Sequence, residues 1–217
     1  MTPSPTSDTT LLYLVRHGST DANLNRPYIL QGRGIDLSLN EVGRQQAQAV
    51  GEFLSQRTLQ HVYSSVMKRA IETAEQIAKH HQLQVQPVEQ LVECHVGKWE
   101  GMDWESIERE HSEAYRAFME NPALNPYLGG ESYCDVHVRV QPVLQQLLER
   151  HVGESIAIVA HNVVNRVYLA GLLGVELARA KDLRQTNAGV NVIRYRDGET
   201  TLMTMNAHFH LDESLLV

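Results

Sequence analysis

The sequence predicts an α/β fold, a three-layer α/β/α sandwich whose sheet is mostly parallel with an antiparallel edge. Two short, continuously apolar runs, residues 11–15 (LLYLV) and 155–160 (SIAIVA), are typical of strands buried on both faces. Segments with helical spacing of apolar residues alternate with strand patterns along the chain. Two further strand patterns flank Asp197-Gly198, a dipeptide typical of hairpin turns, which indicates an antiparallel edge.

Composition places the chain among single-domain globular proteins. A length of 217 residues suits one domain over 1–217, and hydrophobic and charged fractions of 42% and 21% are ordinary. The net charge of −7 argues against binding nucleic acid through broad phosphate neutralisation. Residues 1–9 are polar and are expected to form a flexible tail. This stretch lacks the basic residues of a signal peptide. With two cysteines and no apolar run long enough to cross a bilayer, the expected location is cytoplasmic.

The first part of the chain alternates helices and strands. Ser38 and Glu41 have the spacing of a capping box, so a helix is expected from there to about Gln56. Three elements are predicted to follow, namely a strand at 61–63, a helix at 68–81 and a strand at 85–88.

The stretch from about residue 97 to residue 135 interrupts this alternation and is expected to form a cap-like insertion. It is rich in aromatic residues and prolines. We expect one helix near 104–119 and a long loop, an arrangement that often covers a ligand site in α/β domains. Trp99 and Trp104 are interpreted as packing residues.

The last part of the chain returns to α/β alternation. The predicted elements are a helix at 136–151, the strand at 155–160, a helix at 163–173 ending at Gly174, and strands at 190–195 and 200–205.

Charged and polar side chains follow three of the predicted strands. These are Arg16-His17-Gly18 after the first strand, His161-Asn162 after the strand at 155–160, and Arg69 one turn into the helix that follows 61–63. Ligands of open α/β sheets bind beyond the carboxyl ends of strands, so these groups are expected to meet at one end of the sheet. One histidine in such a position is more often a structural residue, but two after buried strands favour a site.

These residue types suit a phosphate ester. Guanidinium groups match phosphate oxygens bidentately, and a neutral imidazole, whose unperturbed pKa is about 6.5, can attack phosphorus near neutral pH. Gly18 lacks a Cβ and can adopt a positive φ, so a phosphate can approach the backbone. A second, protonated histidine would stabilise the transferring group, and a carboxylic acid would protonate the leaving oxygen.

The motifs resemble those of the histidine phosphatase superfamily, which has the phosphoglycerate mutase-like fold. The matching segments are 14–18 with Asn23, 63–65 with Arg69-Ala70 and Thr73-Ala74, the set Leu91, Glu93, Gly97, Trp99, Glu100 and Gly101, and finally 159–161. They occur in family order between residue 11 and about residue 174, and each falls where a strand end or loop is predicted. The Asn187 region is also similar to the family.

The resemblance implies a role for each matching residue. One histidine would be transiently phosphorylated, the arginines and the second histidine would hold the phosphoryl oxygens, and a glutamate would be the general acid and then the base. The implied catalytic residues are His17, Glu93, His161, Arg16 and Arg69, and the implied substrate-binding residues are Asn23, Gln31, Gly32 and Asn162.

Within the family, the chain resembles phosphatases more than mutases. Cofactor-dependent mutases carry a Glu-Arg-His-Tyr-Gly segment and a Gly-Trp pair, whereas this chain has ECHVGKWEG from Glu93 and Gln31-Gly32. Two residues depart from the family pattern: Ser19 stands where the family often has Glu or Gln, and Asn162 stands where it often has Gly. Both differences affect which leaving group fits. The resemblance favours a metal-independent phosphomonoesterase of the histidine acid phosphatase type. Its substrate would be a small metabolite, such as a phosphorylated sugar, sugar acid or nucleotide-loop precursor. A phosphoglycerate mutase and a non-catalytic phospho-ligand-binding protein are the alternatives.

No cofactor or metal is expected, because arginine and histidine would supply the positive charge. The histidines at 80–81 and at 208 and 210 offer two ligands each, fewer than a metal site needs. Cys94 is interpreted as a packing residue, and Arg166 as either a basic site residue or a structural ion-pair partner. The expected partner is a small phosphorylated metabolite, without nucleic acid or membrane. The oligomeric state stays open, a homodimer included.

Overall fold

A computed structural model describes residues 8–216, and its centre is a six-stranded sheet. The strands are β1 (Thr9–Arg16), β2 (His61–Ser65), β3 (Val85–Val88), β4 (Ser155–Ala160), β5 (Val190–Arg196) and β6 (Glu199–Ala207). Their order is β3-β2-β4-β1-β5-β6, with the first four mutually parallel and β5 antiparallel to both neighbours. The predicted mostly parallel sheet with an antiparallel edge is therefore confirmed.

Helices cover both faces of the sheet, which makes three layers. They are α1 (Asp21–Leu24), α2 (Glu41–Ser55), α3 (Lys68–Ala78), α4 (Trp104–Glu110), α5 (Ser112–Glu120), α6 (Tyr133–Arg150) and α7 (Asn162–Leu173). Successive residues of a strand point to opposite faces. Tyr13 and Val15 accordingly pack in one apolar cluster with α2 and α3, whereas Leu12 and Leu14 pack in the other with α6 and α7.

The register of the parallel strands aligns their carboxyl ends. Arg16 is opposite Ala160, and Ser64 is opposite Val159. The His17 amide donates to the Ala160 carbonyl oxygen at 3.0 Å, which extends the β1–β4 pairing by one residue. The residues that follow β1, β2 and β4 therefore converge at one end of the sheet, as predicted.

The helix expected after Ser38 begins later than its predicted capping box. Asn40 is the N-cap of α2, and its Oδ1 accepts a hydrogen bond from the Gly43 amide at 2.8 Å. Glu41 is the first helical residue and pairs with Arg44. The capping-box prediction is wrong because asparagine and serine are equally good N-caps, so the sequence offered two starting points.

The cap-like stretch contains two helices where one was predicted over 104–119. His111, between α4 and α5, leaves the helical conformation with φ −132° and ψ 42°. Ile107 and Phe118 are both buried and lie eleven positions apart, which is about three helical turns. Apolar spacing therefore continues across the break, so the periodicity does not register it.

Two further predictions, the hairpin turn at Asp197-Gly198 and the tail at residues 1–9, can be compared with the structure. Asp197 and Gly198 have φ of 53° and 82°, as a type I′ turn requires. Thr9 belongs to β1, so the strand begins inside the range that was assigned to a flexible tail. Residues 1–7 of that range lie outside the described residues. None of the helices within 8–216 combines the length and apolar character needed to cross a membrane.

Candidate active site

The two histidines that follow β1 and β4 lie side by side. The ring centroids of His17 and His161 are 5.2 Å apart, and both residues are buried. This proximity follows from the parallel pairing of β1 with β4, which places consecutive strand ends next to each other.

The tautomer of His17 follows from one hydrogen bond. Its Nδ1 lies 2.6 Å from the Gly18 carbonyl oxygen, which can only accept, so Nδ1 carries the proton. The Nε2 atom therefore keeps its lone pair. The Asn187 side chain donates to the His17 carbonyl oxygen at 2.9 Å, and Thr73 Oγ1 accepts from the Gly18 amide at 3.0 Å. These contacts fix the histidine in place.

Two glycines allow the loop after β1 to lie against α2. A Cβ on Gly18 would be 2.5 Å from the Gly43 carbonyl oxygen, and a Cβ on Gly43 would be 1.9 Å from the Ser19 carbonyl oxygen. Gly18 is not among the residues with positive φ. The structure therefore requires Gly18 for close backbone packing and not for the left-handed conformation considered from the sequence.

Arg69 reaches the site from the first turn of α3 and is held by backbone oxygens. Its Nη1 and Nη2 donate to the Ile35 and Gly32 carbonyl oxygens, both at 3.1 Å. Gly32 is held in turn by its amide, which donates to Glu100 at 2.6 Å. Gly32 is not part of the cavity lining described below, so it orients Arg69 from behind the site.

Several buried polar atoms of the site have no hydrogen-bond partner within the described part of the chain. They are Arg16 Nε, Arg69 Nε, Asn162 Oδ1 and both ring nitrogens of His161. Arg16 is otherwise oriented by Nη1, which donates to the Gln185 carbonyl oxygen at 2.6 Å. Buried polar groups are nearly always paired, so this cluster indicates the place of a polar ligand.

Burial and positive neighbours determine the charge states. Burial, then Arg69, lowers the pKa of His17 and of His161 well below 6.5, so both rings are neutral near pH 7. Burial lowers the pKa of Arg16 to about 10, which leaves its guanidinium charged. A protonated His161 around a bound phosphoryl group stays a prediction; without that negative charge, burial and the nearby arginines favour the neutral ring.

Glu93 is positioned over the first turn of α7. Its Oε1 accepts from the Cys94 amide at 2.9 Å, and its Oε2 accepts from the Val163 amide at 3.4 Å. The carboxyl group lines the same cavity as His17. It can therefore approach a group bound to the His17 side of that cavity.

Asn23 and Gln31 line the cavity but are held by local contacts. Asn23 Oδ1 accepts from the Thr20 amide at 3.0 Å. Both polar ends of Gln31 are engaged, since Oε1 accepts from Thr20 Oγ1 at 2.7 Å and Nε2 donates to the Ile35 carbonyl oxygen at 3.1 Å. The Asn23 amide nitrogen is therefore better placed to contact a ligand than either end of Gln31.

A cavity of about 410 Å³ contains these groups. The predicted site residues in its lining are Arg16, His17, Asn23, Gln31, Glu93 and Asn162. Arg69 and His161 are buried beside His17, below this lining. The structure thus brings together every predicted catalytic residue, with Gly32 one layer behind.

The outer wall contains residues outside the predicted set of site residues, although Arg166 had been considered from the sequence as a basic site residue. They are the aromatic residues Tyr28, Trp104, Phe118, Tyr127 and Tyr133 and the basic residues Arg166 and Lys181. The aromatic content of the cap-like stretch was the available signal, whereas Lys181 lies in no motif. Arg166 Nε donates to the Leu183 carbonyl oxygen at 2.9 Å. It makes no ion pair within residues 8–216, so that alternative is wrong.

The remaining candidates have structural surroundings. Cys94 is buried, and burial raises the pKa of its thiol well above the usual value, which fits the packing interpretation. Trp99 is a core residue. His208 and His210 contact the carbonyl oxygens of Asn206 and Ala188, respectively.

Comparison with known proteins gives consistent matches over nearly the whole chain. The family model of the histidine phosphatase superfamily (branch 1) matches residues 12–208. Phosphoserine phosphatase 1 of Hydrogenobacter thermophilus is 33% identical over 93% of this chain and 94% of its own length. Phosphoglycerate mutase-like protein 4 of Arabidopsis thaliana is 37% identical over 94% and 87% of the two chains.

A solved structure shows the same architecture. The Entamoeba histolytica phosphoserine phosphatase in complex with 3-phosphoglyceric acid superimposes with a TM-score of 0.83 at 28% identity, covering 93% of this chain and 98% of that one. The family model covers all four motifs and the residues that the fold brings together around His17. The chain therefore belongs to the histidine phosphatase superfamily, as its motifs predicted.

Proposed function

We propose that the protein hydrolyses a small phosphomonoester through a phosphohistidine at His17, without a metal ion. The observation that carries the proposal is the cluster of unpartnered buried nitrogen atoms on Arg16, Arg69 and His161 beside an imidazole with a free Nε2. Such a group matches a phosphoryl group, which presents several acceptor oxygens and a negative charge.

In the first step, His17 Nε2 attacks phosphorus and the bond from phosphorus to the ester oxygen breaks. Arg16 and Arg69 contact the phosphoryl oxygens and stabilise their charge. The protonated Glu93 carboxyl donates its proton to the leaving oxygen, so an alcohol departs and a carboxylate remains.

In the second step, the Glu93 carboxylate takes a proton from water as the water oxygen attacks phosphorus. The nitrogen–phosphorus bond breaks, inorganic phosphate forms, and His17 recovers its neutral Nε2. The carboxyl group ends the cycle protonated, as it began.

The nucleophile is tested with His17→Ala and a labelled phosphate ester. The variant should lose turnover of p-nitrophenyl phosphate and should lose the acid-labile label that the unmodified protein acquires on rapid quenching. His80→Ala, an exposed histidine far from the site, is the matched control and should behave like the unmodified protein. Retained turnover in His17→Ala would refute the assignment.

We further propose that the leaving group carries a carboxylate. Arg166 lines the outer cavity, and the Leu183 carbonyl holds its Nε, which leaves the terminal guanidinium nitrogens available for an anion. Two of the relatives named above are phosphoserine phosphatases, and one of these is solved with 3-phosphoglyceric acid. Phosphoserine and 3-phosphoglycerate both combine a phosphate ester with a carboxylate on the leaving group.

Arg166→Gln tests this substrate class. A hydrogen bond to a charged group contributes about 1.5–3 kcal/mol, which is about 10- to 150-fold in kcat/KM. That loss is expected for phosphoserine and 3-phosphoglycerate but not for p-nitrophenyl phosphate, which has no carboxylate. The control is Arg179→Gln, which removes an exposed arginine paired with Asp182. Equal losses on all three substrates would argue against a carboxylate contact.

A mutase remains the second candidate because of the similarity to a phosphoglycerate mutase-like protein. A mutase would interconvert 2- and 3-phosphoglycerate with stimulation by 2,3-bisphosphoglycerate. We expect phosphate release without that stimulation. Tight binding of phosphorylated ligands with no release would instead favour a non-catalytic binding protein.

A further inference from the structure

A second cluster of chemically active side chains lies at the opposite end of the sheet from His17. His61 is the first residue of β2, Glu154 directly precedes β4, and His151 follows the last turn of α6. The active site follows the carboxyl ends of the same two strands. With about 3.3 Å per residue, the five residues of β2 separate the two ends by about 16 Å.

The three side chains point their ligand atoms at one another. Glu154 Oε2 lies 2.6 Å from His151 Nδ1 and 3.3 Å from His61 Nε2, and all the ligand atoms lie within 4.8 Å of one another. Donors around a tetrahedral Zn²⁺ with bonds of about 2.0–2.1 Å are about 3.3 Å apart. To admit the ion, the His151–Glu154 contact has to open by less than about 1 Å, and the longest separation, which is at most 4.8 Å, has to shorten by at most about 1.5 Å.

The atoms behind the two imidazoles are also arranged as in metal sites. Tyr63 Oη lies 2.8 Å from His151 Nε2, and Gln86 Nε2 lies 3.3 Å from His61 Nδ1. Metal-bound histidines usually donate their second ring N–H to a nearby oxygen, which orients the ring. Tyr63 offers that oxygen directly, and Gln86 offers it by turning its amide group.

We propose that His61, His151 and Glu154 bind a divalent transition-metal ion of the Zn²⁺ type, with a fourth position open to solvent. Two imidazoles and one carboxylate suit Zn²⁺, Co²⁺ or Ni²⁺, whereas Mg²⁺ and Ca²⁺ require mainly oxygen ligands. His61 and Glu154 side chains are 33% and 37% exposed, so an ion and a coordinated water have access. Coordination through His151 Nδ1 places the ring proton on Nε2, facing Tyr63.

The role of this ion is structural. It joins the start of β2, the start of β4 and the end of α6, and so adds to the β2–β4 pairing and to the His61–Glu154 and His151–Glu154 contacts. Arg150 lies close to Tyr63 and its charge opposes a cation, so the site binds less tightly than a four-ligand site. The competing interpretation is a metal-free His–Glu–His hydrogen-bond network.

The test is titration of chelator-treated full-length protein with Zn²⁺ by calorimetry and with Co²⁺ by visible absorption. We expect one ion per chain at this site, with the intense absorption of a four-coordinate Co²⁺ ion, and a rise in Tm on binding. His61→Ala and Glu154→Gln should lose all three signals. His80→Ala should keep them, and Tyr63→Phe should weaken binding about tenfold or more because His151 loses its oxygen partner.

The variant His161→Ala distinguishes this site from metal binding at the active-site histidines. If the ion binds between His17 and His161, His161→Ala will abolish binding and His61→Ala will not, which overturns the proposal. Absence of Zn²⁺ binding in the unmodified protein overturns it equally and favours the metal-free hydrogen-bond network. Circular dichroism and unfolding in chelator show whether each variant is folded, and the partly exposed His61 makes His61→Ala the safest of them.

Discussion

Replacing Gly43 with alanine should impair catalysis although residue 43 touches no substrate. The new Cβ would lie 1.9 Å from the Ser19 carbonyl oxygen, and a carbon–oxygen contact needs about 3.2 Å, so α2 and the His17 loop must separate by about 1.3 Å. A displacement of about 1 Å in a reacting group costs on the order of 100-fold in rate. We expect kcat/KM for p-nitrophenyl phosphate to fall by about that factor.

Gly43→Ala should lower the free energy of unfolding only modestly. Alanine favours a helix over glycine by about 1 kcal/mol, whereas overpacking costs about 1–3 kcal/mol, so the net loss is at most about 2 kcal/mol. Urea unfolding measures it.

Gly51→Ala is the matched control for this prediction. Its Cβ would also be too close to a backbone oxygen, 2.4 Å from that of Gln76, but it lies eight residues along α2, about 12 Å from residue 43. It should lower stability comparably and leave kcat/KM within a few-fold. A normal rate in Gly43→Ala, or equal rate losses in both variants, would refute the argument that this contact positions His17.

Three further predictions concern the reaction and its charges. Glu93→Gln should lower kcat/KM about 10²- to 10⁴-fold for alkyl phosphates and much less for p-nitrophenyl phosphate, whose leaving group needs no proton; equal losses would indicate a binding role. Chelation of metals should leave the turnover rate unchanged, and a loss restored by Zn²⁺ in His61→Ala, which lacks the metal site proposed above, would contradict the proposed metal-independent mechanism. Because His17 and His161 have lowered pKa values, the unfolded chain binds protons near pH 6.5 that the folded chain does not. Stability should therefore fall by up to about 2.7 kcal/mol per pH unit from pH 6.5 towards pH 5, as measured by urea unfolding, and a flat profile would contradict neutral buried rings.

Four of the five predicted catalytic residues could be predicted from local spacing because each follows a strong strand pattern. Val15 and Ala160 end continuously apolar strands, and parallel pairing places the next residues together at one end of the sheet. Arg69 was predictable for the same reason, since it lies in the first turn of the helix that follows β2. The family motifs and the physical pattern therefore selected the same four residues, and Glu93 came from the motifs alone.

The outer wall and the second cluster could not be predicted in this way. Lys181 reaches the cavity through the turn after α7, which no local spacing specifies, and for Arg166 the sequence left two interpretations open. His151 and Glu154 are three residues apart in sequence, and only the pairing of β2 with β4 brings His61 to them. Side chains that meet through register between distant segments leave no periodic signal, so only coordinates identify them.

The position of β1 has a consequence for how the chain acquires its structure during synthesis. Although β1 precedes every other strand, both of its neighbours, β4 and β5, come more than 130 residues later. A ribosome making about 5–20 residues per second leaves this apolar segment without its partners for about 7–28 s. We expect chaperones that bind exposed apolar strands to have access to residues 9–16 during that interval, and the His17–His161 pair cannot form before β4 is made.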